Sequence, residues 1–244
     1  MELGIEGKVA LVTGASRGIG RAVAGALARE GACVALSSRS REGIDATAAA
    51  VGGVGFVHDS DHPDRVDALV GEVEAALGQV EILVINTGGP PTGAPLSFGE
   101  EDHARAHRQL VLTPLALIGR VTPTMRSRRF GRIVSIASVT VREPLPSLGL
   151  STSYRLALLG TVKTLACELA GDGITLNTIL PSRIATERLL SLHGSEASAA
   201  QGIPAGRLGS PDEVAAAAAF LASVPAGYVT GTALPIDGGM LRAV

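Results

Sequence analysis

Seven short apolar runs punctuate the chain, each bounded by turn residues: Val9–Val12, Cys33–Leu36, Gly55–Val57, Ile82–Ile85, Ile133–Ile136, Thr175–Ile179 and Ala233–Ile236. Runs of this kind, without a polar alternate face, are expected in a parallel sheet covered on both sides. Stretches of helical composition separate them, near 20–30, 63–77, 100–127, 151–170 and 211–223. The last opens with Ser210-Pro211-Asp212-Glu213, an N-cap followed by proline at the first helical position. Strand alternating with helix predicts an α/β fold, a doubly wound parallel sheet of seven strands with helices on both faces and right-handed crossovers. With 244 residues, no repeat and no linker-like segment, residues 1–244 are expected to form one domain. The segment at about 183–207, rich in Ser, Ala and Gly and carrying Leu189, Leu190 and Leu192, is expected to be a substrate lid.

Composition narrows the partners. A formal net charge of −2 with no long run of Lys or Arg gives no electrostatic footprint for nucleic acid or an anionic membrane, so a small molecule is the expected partner. The N-terminus carries acidic residues where a secretory signal needs basic ones, and no apolar run reaches membrane-spanning length, so a cytoplasmic location is expected. Cys33 and Cys167 sit in apolar stretches and are expected to be buried small hydrophobes rather than a disulfide. The five histidines lack metal-ligand spacing; His103 and His107 are helix neighbours expected at the surface.

Directly after the first strand comes Thr13-Gly14-Ala15-Ser16-Arg17-Gly18-Ile19-Gly20, leading into a helix. Glycines at that place let the chain turn tightly and bring backbone N–H groups against a pyrophosphate at the positive end of a helix. The position expected to carry an acidic residue for an NAD ribose is Ser38, followed by Arg39, while Arg17 lies in the turn. Two cations beside a serine favour a 2′-phosphate, hence NADP(H). The domain is therefore expected to be an NADP-binding Rossmann-type unit.

The Thr-Gly-x-x-x-Gly-x-Gly spacing resembles the short-chain dehydrogenase/reductase family, and the resemblance extends over almost the whole chain. It implies cofactor contacts from Gly14, Ser16, Arg17, Gly18, Ile19, Gly20, Ser38 and Arg39. It further implies Asp59 and Ser60 beside the adenine, Asn86 and Gly88 at the end of the fourth strand, and Thr186 near the nicotinamide. The ending, from Arg207 through Val229-Thr230-Gly231 and Asp237-Gly238-Gly239, is similar to 3-oxoacyl thioester reductase-like members.

The same resemblance exposes an anomaly. Family members use an Asn, Ser, Tyr, Lys tetrad, and in the register that keeps Gly131, Gly160 and Lys163 aligned those places hold Leu110, Ser138, Ser151 and Arg155. Only Lys8 and Lys163 are lysines, and neither is placed to substitute. Tyr154, one helical step from Ser151 and leaning back toward it, is a candidate replacement for the missing phenol. Arg155 is expected to retain the electrostatic role of the lysine but, with so high a pKa, not its proton relay. Water held by Ser138, Ser151 or Gln109 is another possible acid.

The leading expectation is an NADP(H)-dependent oxidoreductase, a homo-dimer or homo-tetramer acting on a small carbonyl or alcohol substrate through Ser138, Tyr154 and Arg155. A lost general acid slows such a reaction without forbidding it, and a dicarbonyl or a cyclic hemiacetal would tolerate the loss best. The alternatives are a non-redox isomerase, dehydratase or cyclase on the same fold, and a non-catalytic NADP-binding subunit.

Overall fold

A computed structural model describes residues 2–242, apart from the side chains at 192 and 193, so that Leu192 of the expected lid lies outside the described set. Seven parallel strands form one sheet: β1 (Val9–Thr13), β2 (Cys33–Ser38), β3 (Val54–Val57), β4 (Val80–Ile85), β5 (Gly131–Ile136), β6 (Ile174–Pro181) and β7 (Ala233–Ile236), in the order β3-β2-β1-β4-β5-β6-β7. Every expected run is a strand, extended by up to two residues at an end. The chain winds outward from β1 through β2 to β3, then returns to β4 on the other side of β1. Loops at the carboxyl ends of β1 and β4 therefore diverge and open a crevice, the usual ligand position in such sheets.

Helices cover both faces. On one, α1 (Gly18–Arg29) packs against α9 (Pro211–Leu221), burying Val23, Leu27, Val214 and Ala218 over Val12, Val84 and Ile179. On the other, α3 (Val66–Leu77), α5 (Thr113–Arg128) and α6 (Gly149–Leu169) bury Val70, Leu117, Val121, Leu158 and Val162 against Leu11, Leu83 and Ile133. The two apolar layers, one on each side of the sheet, are why the strands carry no polar face.

Sequence expectation and structure differ at four places. Arg41–Val51 forms α2, capped by the Ser40 hydroxyl, which accepts from the Gly43 N–H at 3.1 Å; its apolar stripe, Ile44 and Ala48, is too short and small to stand out by periodicity. The helix expected over 100–127 is two helices, α4 (Glu100–His107) and α5, joined by a π-helical turn at Arg108–Leu112. Pro114 explains part of that turn: without an N–H it cannot bond the Leu110 carbonyl, and Thr113 donates instead to Arg108, five residues back. The expected lid contains α7 (Glu187–His193) and α8 (Glu196–Ala200), each with a serine or threonine N-cap. Cys33 and Cys167 are exposed rather than buried, at a strand start and on the outer side of α6. Among the described residues no helix is long and apolar enough to cross a membrane and no cluster of His, Cys, Asp or Glu could hold a metal.

Candidate active site

The crevice at the carboxyl ends of β1 and β4 is held open by reciprocal hydrogen bonds. The Thr13 hydroxyl donates to the Asn86 carbonyl at 2.9 Å and accepts from the Asn86 N–H at 3.0 Å, while the Asn86 side-chain amide donates to the Gly14 carbonyl at 2.9 Å. Gly14 has φ +59°, and a Cβ there would lie 2.5 Å from the Asn86 carbonyl oxygen; one at Gly20 would strike the Gly14 carbonyl. Two adjoining clefts of about 680 and 590 Å³ follow. Gly14, Ser16, Arg17, Ser38, Arg39, Ser60, Asn86 and Gly88 line the first; Gly18, Ile19 and Thr186 line the second, which Gly14, Arg17, Asn86 and Gly88 also border. Gly20 is buried behind them at the start of α1. Of the expected cofactor residues, Asp59 alone is neither a lining residue nor part of that turn: its carboxylate accepts from the Asp61 N–H at 3.0 Å in the turn after β3.

The clefts fit a dinucleotide. Ser38 is buried, its hydroxyl donating to the Ser40 carbonyl at 3.2 Å, while Arg39 is exposed at the rim and makes no ion pair or hydrogen bond among the described residues. Arg17 reaches Glu187 of α7 at 3.6 Å, both ends well exposed. His58 also lines the first cleft; desolvation holds its pKa below the ordinary imidazole value, and its buried Nε2 has no partner. A neutral imidazole lining the cleft suits a purine or ribose. Sequence reading passed over it, because nothing in a lone His after a strand marks it.

The residues expected to be catalytic assemble only in part. Arg155 is 9% exposed; its Nε donates to the Ser151 hydroxyl at 3.1 Å and its Nη1 to the Ile136 carbonyl at 2.8 Å, two residues before Ser138 at the end of β5. Burial, and secondarily the charge of Arg188, lowers its pKa to about 10, so it remains cationic at neutral pH. Ser138 caps a short 3-10 turn at Val139–Val141, its hydroxyl accepting from the Thr140 N–H at 3.2 Å and the Thr140 hydroxyl at 3.1 Å. Leu110 is buried in the π-helical turn, which packs on α6. Lys163 donates to the Gly231 carbonyl at 3.0 Å and takes no part.

Tyr154 is turned elsewhere. Its hydroxyl lies 3.0 Å from His103 Nδ1 and its ring stacks at a tilt 5.8 Å from that of His107, so the phenol is engaged with α4 and bonded to neither Ser138 nor Ser151. The expected surface position of His103 is corrected with it: the ring is half-buried between Phe98 and Tyr154. The second residue that sequence reading missed is Arg188 of α7, which lines the second cleft and donates to the carbonyls of Gly89 at 2.8 Å and Pro90 at 3.0 Å.

A family described as enoyl-(acyl carrier protein) reductase matches residues 14–241. The chain is 36% identical to the 3-oxoacyl-(acyl-carrier-protein) reductase of Escherichia coli over 98% of its own length and 99% of that protein, and 35% identical to the reductase of the same name from Haemophilus influenzae over 97% and 99%. The crystal structure of L-sorbose reductase from Gluconobacter frateurii, complexed with NADPH and L-sorbose, superposes with a TM-score of 0.93 at 32% identity, covering all of both chains. That of YwfH, an NADPH-dependent reductase involved in bacilysin biosynthesis, gives 0.92 at 28% identity over 97% of this chain and 99% of that one. Sheet order, glycine turn and full-length similarity agree: the chain belongs to the short-chain dehydrogenase/reductase family.

Proposed function

We propose that this protein is an NADP(H)-dependent oxidoreductase acting on a small carbonyl or alcohol, with a serine-arginine site in place of the family's tyrosine-lysine dyad. The observation that carries the reading is the Arg155 guanidinium, buried at the carboxyl end of β5 and bonded to Ser151, the residue standing at the tyrosine position. Relatives named for NADPH-dependent reduction support the cofactor. In this reading the N–H groups from Gly14 to Gly20 hold the pyrophosphate, and Ser38, Arg39 and Arg17 take the 2′-phosphate. When bound, NADPH supplies the hydride.

The chain's own residues would do the rest. Arg155 offers a fixed positive charge where negative charge gathers on a substrate oxygen, in a site where desolvation strengthens the interaction. The Ser151 hydroxyl accepts from Arg155 and retains its own proton for donation to that oxygen; the Ser138 hydroxyl likewise has a proton to give. The final proton then comes from water rather than from Tyr154, whose phenol bonds to His103. The segment 183–207, anchored by Thr186 and Arg188 at the cleft, would serve as the lid.

Loss of NADPH absorbance with purified protein, across a panel of ketoesters, dicarbonyls, sugars and acyl thioesters, tests the reading. Turnover with at least one of them, abolished in Arg155→Ala, is expected. No oxidation across the panel, or turnover unchanged in Arg155→Ala, would overturn it.

A further inference from the structure

Two guanidinium groups lie at the carboxyl ends of β4 and β5, and among the described residues neither has an acid to balance it. Arg155 hangs from the Ile136 carbonyl at the end of β5, and Arg188 from the Gly89 and Pro90 carbonyls just beyond β4. The two strands are neighbours, with Ile85 paired to Ser135, so both groups lie above one edge of the sheet. They are close enough that the charge of Arg188 depresses the pKa of Arg155. Among the described residues neither lies within 4.0 Å of a carboxylate, in contrast to the half-buried Arg108 and Arg120, each of which pairs with two. Among the described residues Arg155 Nη2 has no hydrogen-bond partner, and Arg188 lines the second cleft.

Arg155 is a buried charge without a counter-charge, which is costly, and Arg188, although exposed, adds like charge beside it. Such an arrangement is retained where a ligand completes it. The cofactor phosphates are already provided for at the glycine turn and at Arg39, so the vacancy belongs to the substrate side. We infer that Arg155 and Arg188 form an anion subsite and that the substrate carries a carboxylate beside its reacting carbonyl, as a 2-oxo acid does. The inference rests on the function proposed above, since it takes the carboxyl ends of β4 and β5 as the reacting end. A 2-oxo acid fits chemically: its carboxylate bonds the guanidinium forks while its carbonyl oxygen remains within reach of Ser151. Arg188 comes from α7, so ligand binding would also fasten the segment that covers the cleft.

Binding rather than turnover gives the test. Calorimetric titrations of protein saturated with NADP+ compare pyruvate, 4-methyl-2-oxopentanoate and phenylpyruvate with their methyl esters. At least one acid is expected to bind roughly 10–100-fold tighter than its ester, the range of a charge-assisted hydrogen bond. Arg188→Gln, which leaves the buried Arg155 in place, should erase most of that preference, and Arg155→Gln the remainder. If no acid binds tighter than its ester, or if Arg188→Gln weakens NADPH alone tenfold while leaving the acid preference intact, the subsite is a cofactor contact and the inference falls. Acid-selective binding without NADPH oxidation would uphold the subsite and overturn the reductase reading; ester and acid turned over equally would do the reverse.

Discussion

At the scale of single residues, the proposed site would trade a titrating group for a permanent charge. Arg155 stays protonated below about 10 in the folded protein and higher still when unfolded, so both states are charged throughout neutral pH. Its burial cost is then constant there, and is relieved only as pH rises from about 10 toward the ordinary arginine value. Turnover that relies on this cation is expected to give kcat/KM with no limb between pH 6 and 9; a limb within that window would contradict a site that works through a fixed charge. Tyr154→Phe removes one half-buried hydrogen bond. It should cost about 1 kcal/mol of stability by urea unfolding, and far less in kcat/KM than the roughly 10²–10⁴-fold that loss of a general acid brings. Arg39→Ala is expected to weaken NADPH roughly 10–100-fold with little effect on NADH, read by quenching or enhancement of reduced-nicotinamide fluorescence. That the glycine turn, Ser38 and Arg39 would lie at the crevice was legible from the chain because backbone geometry there is local. Arg188 and His58 were not: each acquires its surroundings only when α7 folds over the end of β4, or β3 delivers a side chain to the cleft.

At the scale of elements, strands were readable because burial on both faces writes a continuous apolar run, whereas helices were readable only where their apolar stripe was long. The stripe of α2, Ile44 and Ala48, fell below that threshold, and the break between α4 and α5 left no trace in hydrophobic pattern because it stems in part from a missing N–H at Pro114. Helix α9 shows how local signals add. Ser210 accepts from the Glu213 N–H at 3.2 Å, and the Glu213 carboxylate accepts from the Ser210 N–H at 2.7 Å while pairing with both ends of the Arg207 fork. The Arg207 hydrogen bond chiefly, then that of Ser210, pulls Glu213 down to about 2. Its contribution is therefore present above the ordinary carboxylate value and lost as pH falls from there toward 2. Ser210→Ala should lower stability by about 1 kcal/mol, seen as a lower urea midpoint with unchanged slope; no shift would mean that Arg207 and Glu213 hold the helix start unaided.

At the scale of the whole molecule, a doubly wound sheet puts the nucleotide crevice where β1 and β4 part, and the proposed serine-arginine site one strand further, over β4 and β5. Leu112 at the end of the π-helical turn and Leu156 on α6 are exposed at 38% and 48%. The homo-oligomer implied by the family resemblance would cover them, and sedimentation of the purified protein is expected to give a dimer or tetramer; a monomer at micromolar concentration would contradict it. In the function proposed above, the chain transfers hydride with serine and arginine at the family's tyrosine and lysine positions. Reaction with NADPH deuterated at C4, followed by mass analysis of the product, tests it most directly. Deuterium on the former carbonyl carbon, and its disappearance in Arg155→Ala, is the predicted result; a product formed without deuterium would contradict the claim and make the protein a non-redox catalyst on a reductase fold.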